Sequence, residues 1–184
     1  MVTLGAKGHA DYDPEINGYY ATDPIAIEML LRHETFENVW ENACGEGHLA
    51  EVLRKHNVLC KASDLIDRGY GDIFVDFLKN TSKHNGDIVT NPPFKYAQEF
   101  VEKSMDCIPV RNKVAMFLRI QFLEGKARNR LFKQYPPKTV YVFSNRIKCA
   151  MNGDFTTIKS SATCYAWFVW QKGYTGDTKI KWLI

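Results

Sequence analysis

The segment Asp87-Ile88-Val89-Thr90-Asn91-Pro92-Pro93-Phe94 sets an amide, two prolines and an aromatic ring at the end of a short apolar run. If that run is a strand, these residues lie at its carboxyl end, the edge where open α/β sheets bind ligands. Their types suit the activation of an amino nitrogen conjugated to a ring, such as that of adenine, whose lone pair is delocalised and weakly nucleophilic. An Asn side-chain oxygen and a backbone carbonyl can each accept one of its two N–H bonds. That draws the nitrogen toward tetrahedral geometry and aims its lone pair at an electrophilic methyl. Prolines fix the direction of the carbonyl, and Phe94 offers a face for the ring. The catalytic help is positioning plus stabilisation of a nitrogen that becomes positive. A strand end closed by a rigid Pro-Pro turn is the plainer alternative.

A second constellation precedes it. Glu41-Asn42-Ala43-Cys44-Gly45-Glu46-Gly47 follows a short apolar run and opens an amphipathic one. Glycines there allow a tight turn and close approach of backbone to a ligand. Asp64 lies 19 residues after Gly45, at the end of the next expected strand, where an acid accepts hydrogen bonds from ribose hydroxyls. The pair points to an adenosine-type cofactor. An ordinary strand–turn–helix with an N-capping Asp remains the alternative.

These motifs need a sheet edge to present them, and the chain supplies one. Short apolar runs alternate with amphipathic segments, the pattern of α/β layering. Strands are expected at Val39–Asn42, Val58–Ser63, Asp87–Thr90, Val114–Ile120, Val140–Phe143 and, last, Cys164–Trp170. Helices are expected from Asp23 and Pro24 through Leu31, then at His48–Lys55, Tyr96–Ile108 and Lys126–Gln134. Lys148–Thr163 is polar, contains Gly153 and reads as a mobile loop.

The 184 residues, 45% of them hydrophobic, suffice for one domain, 1–184, with a polar arm over 1–17. No apolar run reaches the ~18 residues of a membrane span, and the N-terminus lacks the apolar stretch of a signal peptide. The five cysteines are scattered without a CxxC pair, so neither a disulfide framework nor a metal site is indicated, and a cytoplasmic setting fits. The net charge of +3 is unevenly spread: residues 1–110 carry 10 Lys/Arg and 18 Asp/Glu, residues 111–184 carry 14 and 3. A basic half suggests a polyanionic partner; a solvated basic face is the alternative.

The order of these motifs resembles the S-adenosylmethionine-dependent DNA adenine amino-methyltransferases of the phage and restriction–modification type, in the gamma arrangement with cofactor motifs first. Asn91, Pro92, Pro93 and Phe94 resemble the catalytic tetrapeptide in its NPPF form. Tyr19 to Pro24 resembles the N-terminal cofactor segment, with Tyr20 and Thr22 as contacts and Asp23 standing inside its Thr-Pro pair. Glu41, Ala43, Gly45 and Gly47 resemble the glycine motif, Asp64 the ribose-binding acid, and Asp76 with Phe77 the segment that meets the adenine of the cofactor. Phe117 to Gly125 with Arg128 resembles the following strand and loop, and Tyr165 to Trp170 the final strand.

The resemblance implies a doubly wound, mostly parallel sheet of the Rossmann-like methyltransferase type with the last strand antiparallel. It also implies S-adenosylmethionine as cofactor, with Asn91 touching it too, and adenine in DNA as substrate. RNA adenine and a protein glutamine amide fit the same geometry, and a cofactor- and nucleic-acid-binding domain without catalysis is a further alternative. Such enzymes usually carry a separate target-recognition domain, for which there is no room here. Lys95, Lys126, Arg128, Arg130, Arg146 and Lys148 are the candidate phosphate contacts. Trp167 and Trp170 read as core, His48 and His56 as surface or rim groups, and Cys44 as a small filler.

Overall fold

The computed structural model describes residues 20–151 and 163–184. The 1–17 arm and most of the Lys148–Thr163 loop lie outside the described residues. In chain order the elements are β1 (Tyr20–Thr22), α1 (Ile25–Leu31), β2 (Val39–Glu41), α2 (His48–Lys55), β3 (Leu59–Ala62), β4 (Ile88–Thr90), α3 (Ala97–Cys107), β5 (Lys113–Arg119), α4 (Asn129–Gln134), β6 (Thr139–Phe143), β7 (Cys149–Met151), β8 (Tyr165–Gln171) and β9 (Lys179–Leu183). Among the described residues no helix is long and apolar enough to cross a membrane.

Seven strands form one sheet in the order β3-β2-β4-β5-β8-β6-β9. Neighbouring strands are parallel except where β8 lies between β5 and β6, antiparallel to both. The strand that the sequence reading placed last is therefore the inverted one, as expected. The structure adds β9 beyond it, parallel to β6 at the sheet edge. Its lysines and half-exposed Ile180 and Trp182 leave it without the apolar run that marks a central strand.

Alternation along the central strands supplies both layers of core. Ala115 and Phe117 of β5, with Trp167 and Val169 of β8, pack under α1 and α2 against Ile27, Leu30, Leu49, Val52 and Leu53. Val114, Met116 and Leu118, with Ala166, Phe168 and Trp170, face α3 and α4. Both tryptophans are core: Trp167 Nε1 donates to Ala26 O over 2.8 Å and Trp170 Nε1 to Tyr135 O over 3.1 Å, so each buried indole N–H is satisfied. Asp23 starts α1 as expected, its Oδ1 accepting the Ile25 N–H over 3.1 Å.

Two expectations change. The helix expected over Lys126–Gln134 is a 3₁₀ turn, Lys126–Arg128, followed by α4. Arg128 reaches back to its own loop, donating from Nε to Phe122 O (2.8 Å) and from Nη2 to Gln121 O (3.2 Å). The helix expected from Tyr96 likewise opens with a 3₁₀ turn, Phe94–Tyr96, before α3. Separately, β1 and β7 pair as a small antiparallel ribbon, Thr22 opposite Cys149, which three-residue segments give no periodicity to reveal.

Candidate active site

The chain leaves β2 through α2 to reach β3 on one side, then returns across β2 to β4 on the other. The carboxyl ends of β2 and β4 therefore flank the point where the sheet order reverses, and a crevice must open there. A cavity of about 250 Å³ occupies it. Thr22, Glu41, Ala43, Asp64, Asp76, Phe77, Asn91, Pro92, Pro93 and Phe94, ten of the residues singled out in the sequence, line it. Leu65, Ile66, Val75 and Phe100 also line it and were not singled out; their apolar character makes them indistinguishable from core in a sequence.

The glycine turn and the segment after β3 are sewn together. Asp64 accepts the Gly45 N–H at Oδ2 (2.8 Å) and the Ile66 N–H at Oδ1 (3.0 Å), so its carboxylate is held at the cavity wall by two backbone donors. Gly45 and Gly47 lie in the turn with φ of 55° and 85°. At Gly47 a Cβ would fall inside the Tyr70 ring, whose hydroxyl donates to Glu51 Oε1 over 2.7 Å. This glycine thus serves the packing of the following segment. Cys44 is buried and donates toward Tyr70 O at 3.6 Å. Burial first, then the charges of Glu41 and Asp64, push its thiol up to about 12, which agrees with a filler.

Glu41 is 1% exposed. Burial pushes its carboxyl well above the ordinary range and the Asp64 charge adds to that, against a backbone hydrogen bond from Ala50. Asp76 is shifted the other way. Its Oδ1 accepts the Leu78 and Lys79 N–H groups (3.1 and 3.3 Å) and its Oδ2 pairs with Lys79 Nζ at 3.0 Å. The Lys79 side chain is the main cause of its lowered pKa. Asp76 therefore caps the turn that brings Phe77 inward. Phe77 is buried, edge-on to Trp40 at 5.3 Å and tilted against Phe100 at 5.1 Å.

At the end of β4, Asn91 Nδ2 donates to Thr22 Oγ1 over 2.8 Å, which commits the donor end of the amide to the β1–β7 ribbon. Pro92 is buried and Pro93 half-buried. Phe94 stacks on Tyr165 at 5.8 Å, and Tyr165 on Phe117 at 4.9 Å. The Arg119 guanidinium lies over the Phe94 ring at 4.8 Å. Arg119 faces Tyr165 across β5 and β8, and burial first, then the neighbouring Cys149, pushes the Tyr165 hydroxyl up. Arg119, Tyr165 and Cys149 were not singled out as site residues. Arg119 and Tyr165 fall within the two strand segments that carry the resemblance, and Cys149 had no sequence signal.

The candidate phosphate contacts divide. Lys95, Lys126, Arg130 and Arg146 are exposed, Lys148 is half-buried beside the ribbon, and Lys95 Nζ sits over the Tyr96 ring at 5.2 Å. Arg128, by contrast, spends two donors on the carbonyls named above and lies over the Phe122 ring at 4.8 Å, so it ties its own loop. Of Tyr20 only the backbone pairing is described, opposite Met151.

The sequence matches no protein-family model and no curated protein. Solved structures are similar in fold. A candidate class I S-adenosylmethionine-dependent methyltransferase of Listeria monocytogenes superposes with a TM-score of 0.58 at 11% identity, over 87% of this chain and 62% of that one. A candidate RNA methyltransferase of Pyrococcus horikoshii gives 0.53 at 12%, over 81% of each chain. The M protein of the type I restriction enzyme EcoKI gives 0.56 at 16%, over 86% of this chain and 45% of that one. The chain thus spans about three fifths of the Listeria protein and under half of the EcoKI subunit. What these likenesses and the strand order establish is the architecture: a Rossmann-like methyltransferase fold with one inverted strand.

Proposed function

We propose that the protein is an S-adenosylmethionine-dependent methyltransferase acting on the exocyclic amino group of adenine in DNA. The observation that carries the reading is the placement of Asn91-Pro92-Pro93-Phe94 at the carboxyl end of β4, on the wall of the cavity that Asp64 and Phe77 also line. The lining fits such a cofactor. Asp64 offers a fixed carboxylate for ribose hydroxyls, Phe77, Leu78, Val75 and Phe100 an apolar slot for a flat base, and Thr22, Glu41 and Ala43 the polar end. When bound there, the cofactor supplies an electrophilic methyl.

The protein's own contribution is to the nucleophile. Asn91 accepts one N–H bond of the target amino group, a carbonyl of the rigid Pro92–Pro93 turn accepts the other, and the Phe94 ring stacks on the base. The proton lost from the amino nitrogen passes to solvent. The target adenine must be flipped from a duplex or lie in a single strand. The fold likeness to an RNA methyltransferase candidate as well as to a restriction-enzyme M protein makes RNA the comparison arm. The test is transfer of labelled methyl from S-adenosylmethionine to plasmid DNA, RNA and protein fractions. Label is expected in the adenines of DNA. Label confined to RNA or protein overturns the DNA assignment, and none anywhere overturns the activity.

A further inference from the structure

Arg119 closes β5 at the same sheet edge that carries the motif. It is exposed, and among the described residues it pairs with no carboxylate. Its guanidinium instead lies over the Phe94 ring at 4.8 Å, with Tyr165 opposite Arg119 on the neighbouring strand. A guanidinium is a planar cation that stacks on aromatic rings about as a base does and binds phosphate through two parallel N–H donors. Tyr165, its cross-strand neighbour, stacks on Phe94 and on Phe117, so this part of the site is a packed aromatic column with one cationic member. That member is the exposed one and hence the one a ligand can move.

Resting on the activity proposed above, we infer that Arg119 is a placeholder for the target base. It covers the Phe94 ring, is displaced when a flipped nucleotide stacks there, and takes the phosphate flanking that nucleotide as its new partner. The two halves of the exchange belong to one substrate chemistry. A nucleotide brings both a flat base to replace the guanidinium on Phe94 and an anionic oxygen pair to receive it. A glutamine side chain brings neither. The inference therefore favours a polynucleotide over a protein amide as substrate. It also supplies this small chain with a strand-gripping group inside the site, where Arg128 is tied to its own loop.

The experiment compares wild type, Arg119→Ala and Arg119→Lys in labelled methyl transfer to plasmid DNA and to RNA, with binding of a fluorescent single-stranded oligonucleotide followed across salt concentration. S-adenosylhomocysteine binding serves as the control. Arg119→Ala is expected to raise KM for the nucleic acid about tenfold and to flatten the plot of log affinity against log salt by roughly 0.7. S-adenosylhomocysteine affinity should stay within twofold. Arg119→Lys restores the salt slope, since it keeps the charge, but leaves KM raised, since an ammonium neither stacks as a plane nor binds bidentately. If wild type transfers methyl to nucleic acid and Arg119→Ala leaves KM and slope unchanged, the placeholder is overturned while the activity stands. If wild type labels no nucleic acid, the activity on which it rests is overturned instead.

Discussion

Asn91 and Thr22, 69 residues apart in the chain, share a hydrogen bond of 2.8 Å that fixes the orientation of the amide at the end of β4. The donor end is directed at the hydroxyl; under the proposed activity, the acceptor end is the one that meets the target amino group. Asn91→Ala should therefore lower the methyl-transfer rate by about 100-fold or more, the scale of removing one polar transition-state stabiliser. S-adenosylhomocysteine affinity, read by calorimetry, should change far less. Thr22→Val should lower the rate by about 3- to 10-fold, the worth of one neutral hydrogen bond, and Thr22→Ser should restore it. A Thr22→Val enzyme with unchanged rate would show that Asn91 is oriented without it.

Asp64→Ala should weaken S-adenosylhomocysteine binding by roughly 1.5–3 kcal/mol, the contribution of a charge-assisted acceptor. It should also lower stability, because the Gly45 and Ile66 N–H groups lose their common acceptor. Asp64→Asn separates the two effects: one amide oxygen can still accept from Gly45, while the charge toward the ribose is gone. Calorimetry and thermal melts on both variants read this directly.

Stability should depend on Glu41 in a defined direction. Its folded pKa is raised well above the ordinary glutamate value, so the native state holds a proton that the unfolded chain releases near pH of about 4.3. That contribution is fully present below this pH and is lost as pH rises toward the folded value. Glu41→Gln keeps the neutral form and should flatten the decline of Tm above pH ~5, leaving the variant more stable than wild type at pH ~8. A decline equally steep in the variant would assign the pH dependence to other groups.

Gly47→Ala should destabilise the turn by two separable effects. Backbone at φ of 85° costs an L-residue about 1–2 kcal/mol, and overlap with the Tyr70 ring adds about 1–3 kcal/mol. Adding Tyr70→Ala should recover the second part and not the first. Denaturant melts of the single and double variants give the two values.

Alkylation should sort the cysteines. Cys60 and Cys164 are exposed, whereas Cys44, Cys107 and Cys149 are buried with thiols pushed up, Cys44 to about 12 and Cys149 to about 11. Iodoacetamide at pH ~8 should label the first two in the native protein and all five after denaturation, as read by peptide mass spectrometry.

Much of this arrangement was legible because it is local. The NPPF tetrapeptide stands where β4 ends, and the acid past the glycine turn stands where β3 ends. Trp167 and Trp170 fall on alternate faces of an all-apolar strand and are core on both. What stayed hidden depends on contacts made across the fold. Nothing in Tyr20–Thr22 or Cys149–Met151 signals that the two segments pair. Arg119 reads as the polar end of a buried strand until Phe94 and Tyr165 are set beside it. Arg128 looks like a group offered to a ligand, yet it finds closer partners in its own loop, the carbonyls of Phe122 and Gln121.

The β1–β7 ribbon joins Thr22 to Cys149, and so joins two stretches separated by most of the chain. The Asn91 amide leans on a hydroxyl whose own strand is paired with that distant partner. Closing so long a loop is entropically unfavourable until the intervening sheet already stands. If the proposed activity holds, chemical competence is therefore acquired late: a nascent chain that has finished its glycine turn and its NPPF motif but has not reached residue 151 lacks the β1–β7 pairing behind the Thr22 hydroxyl that Asn91 leans on.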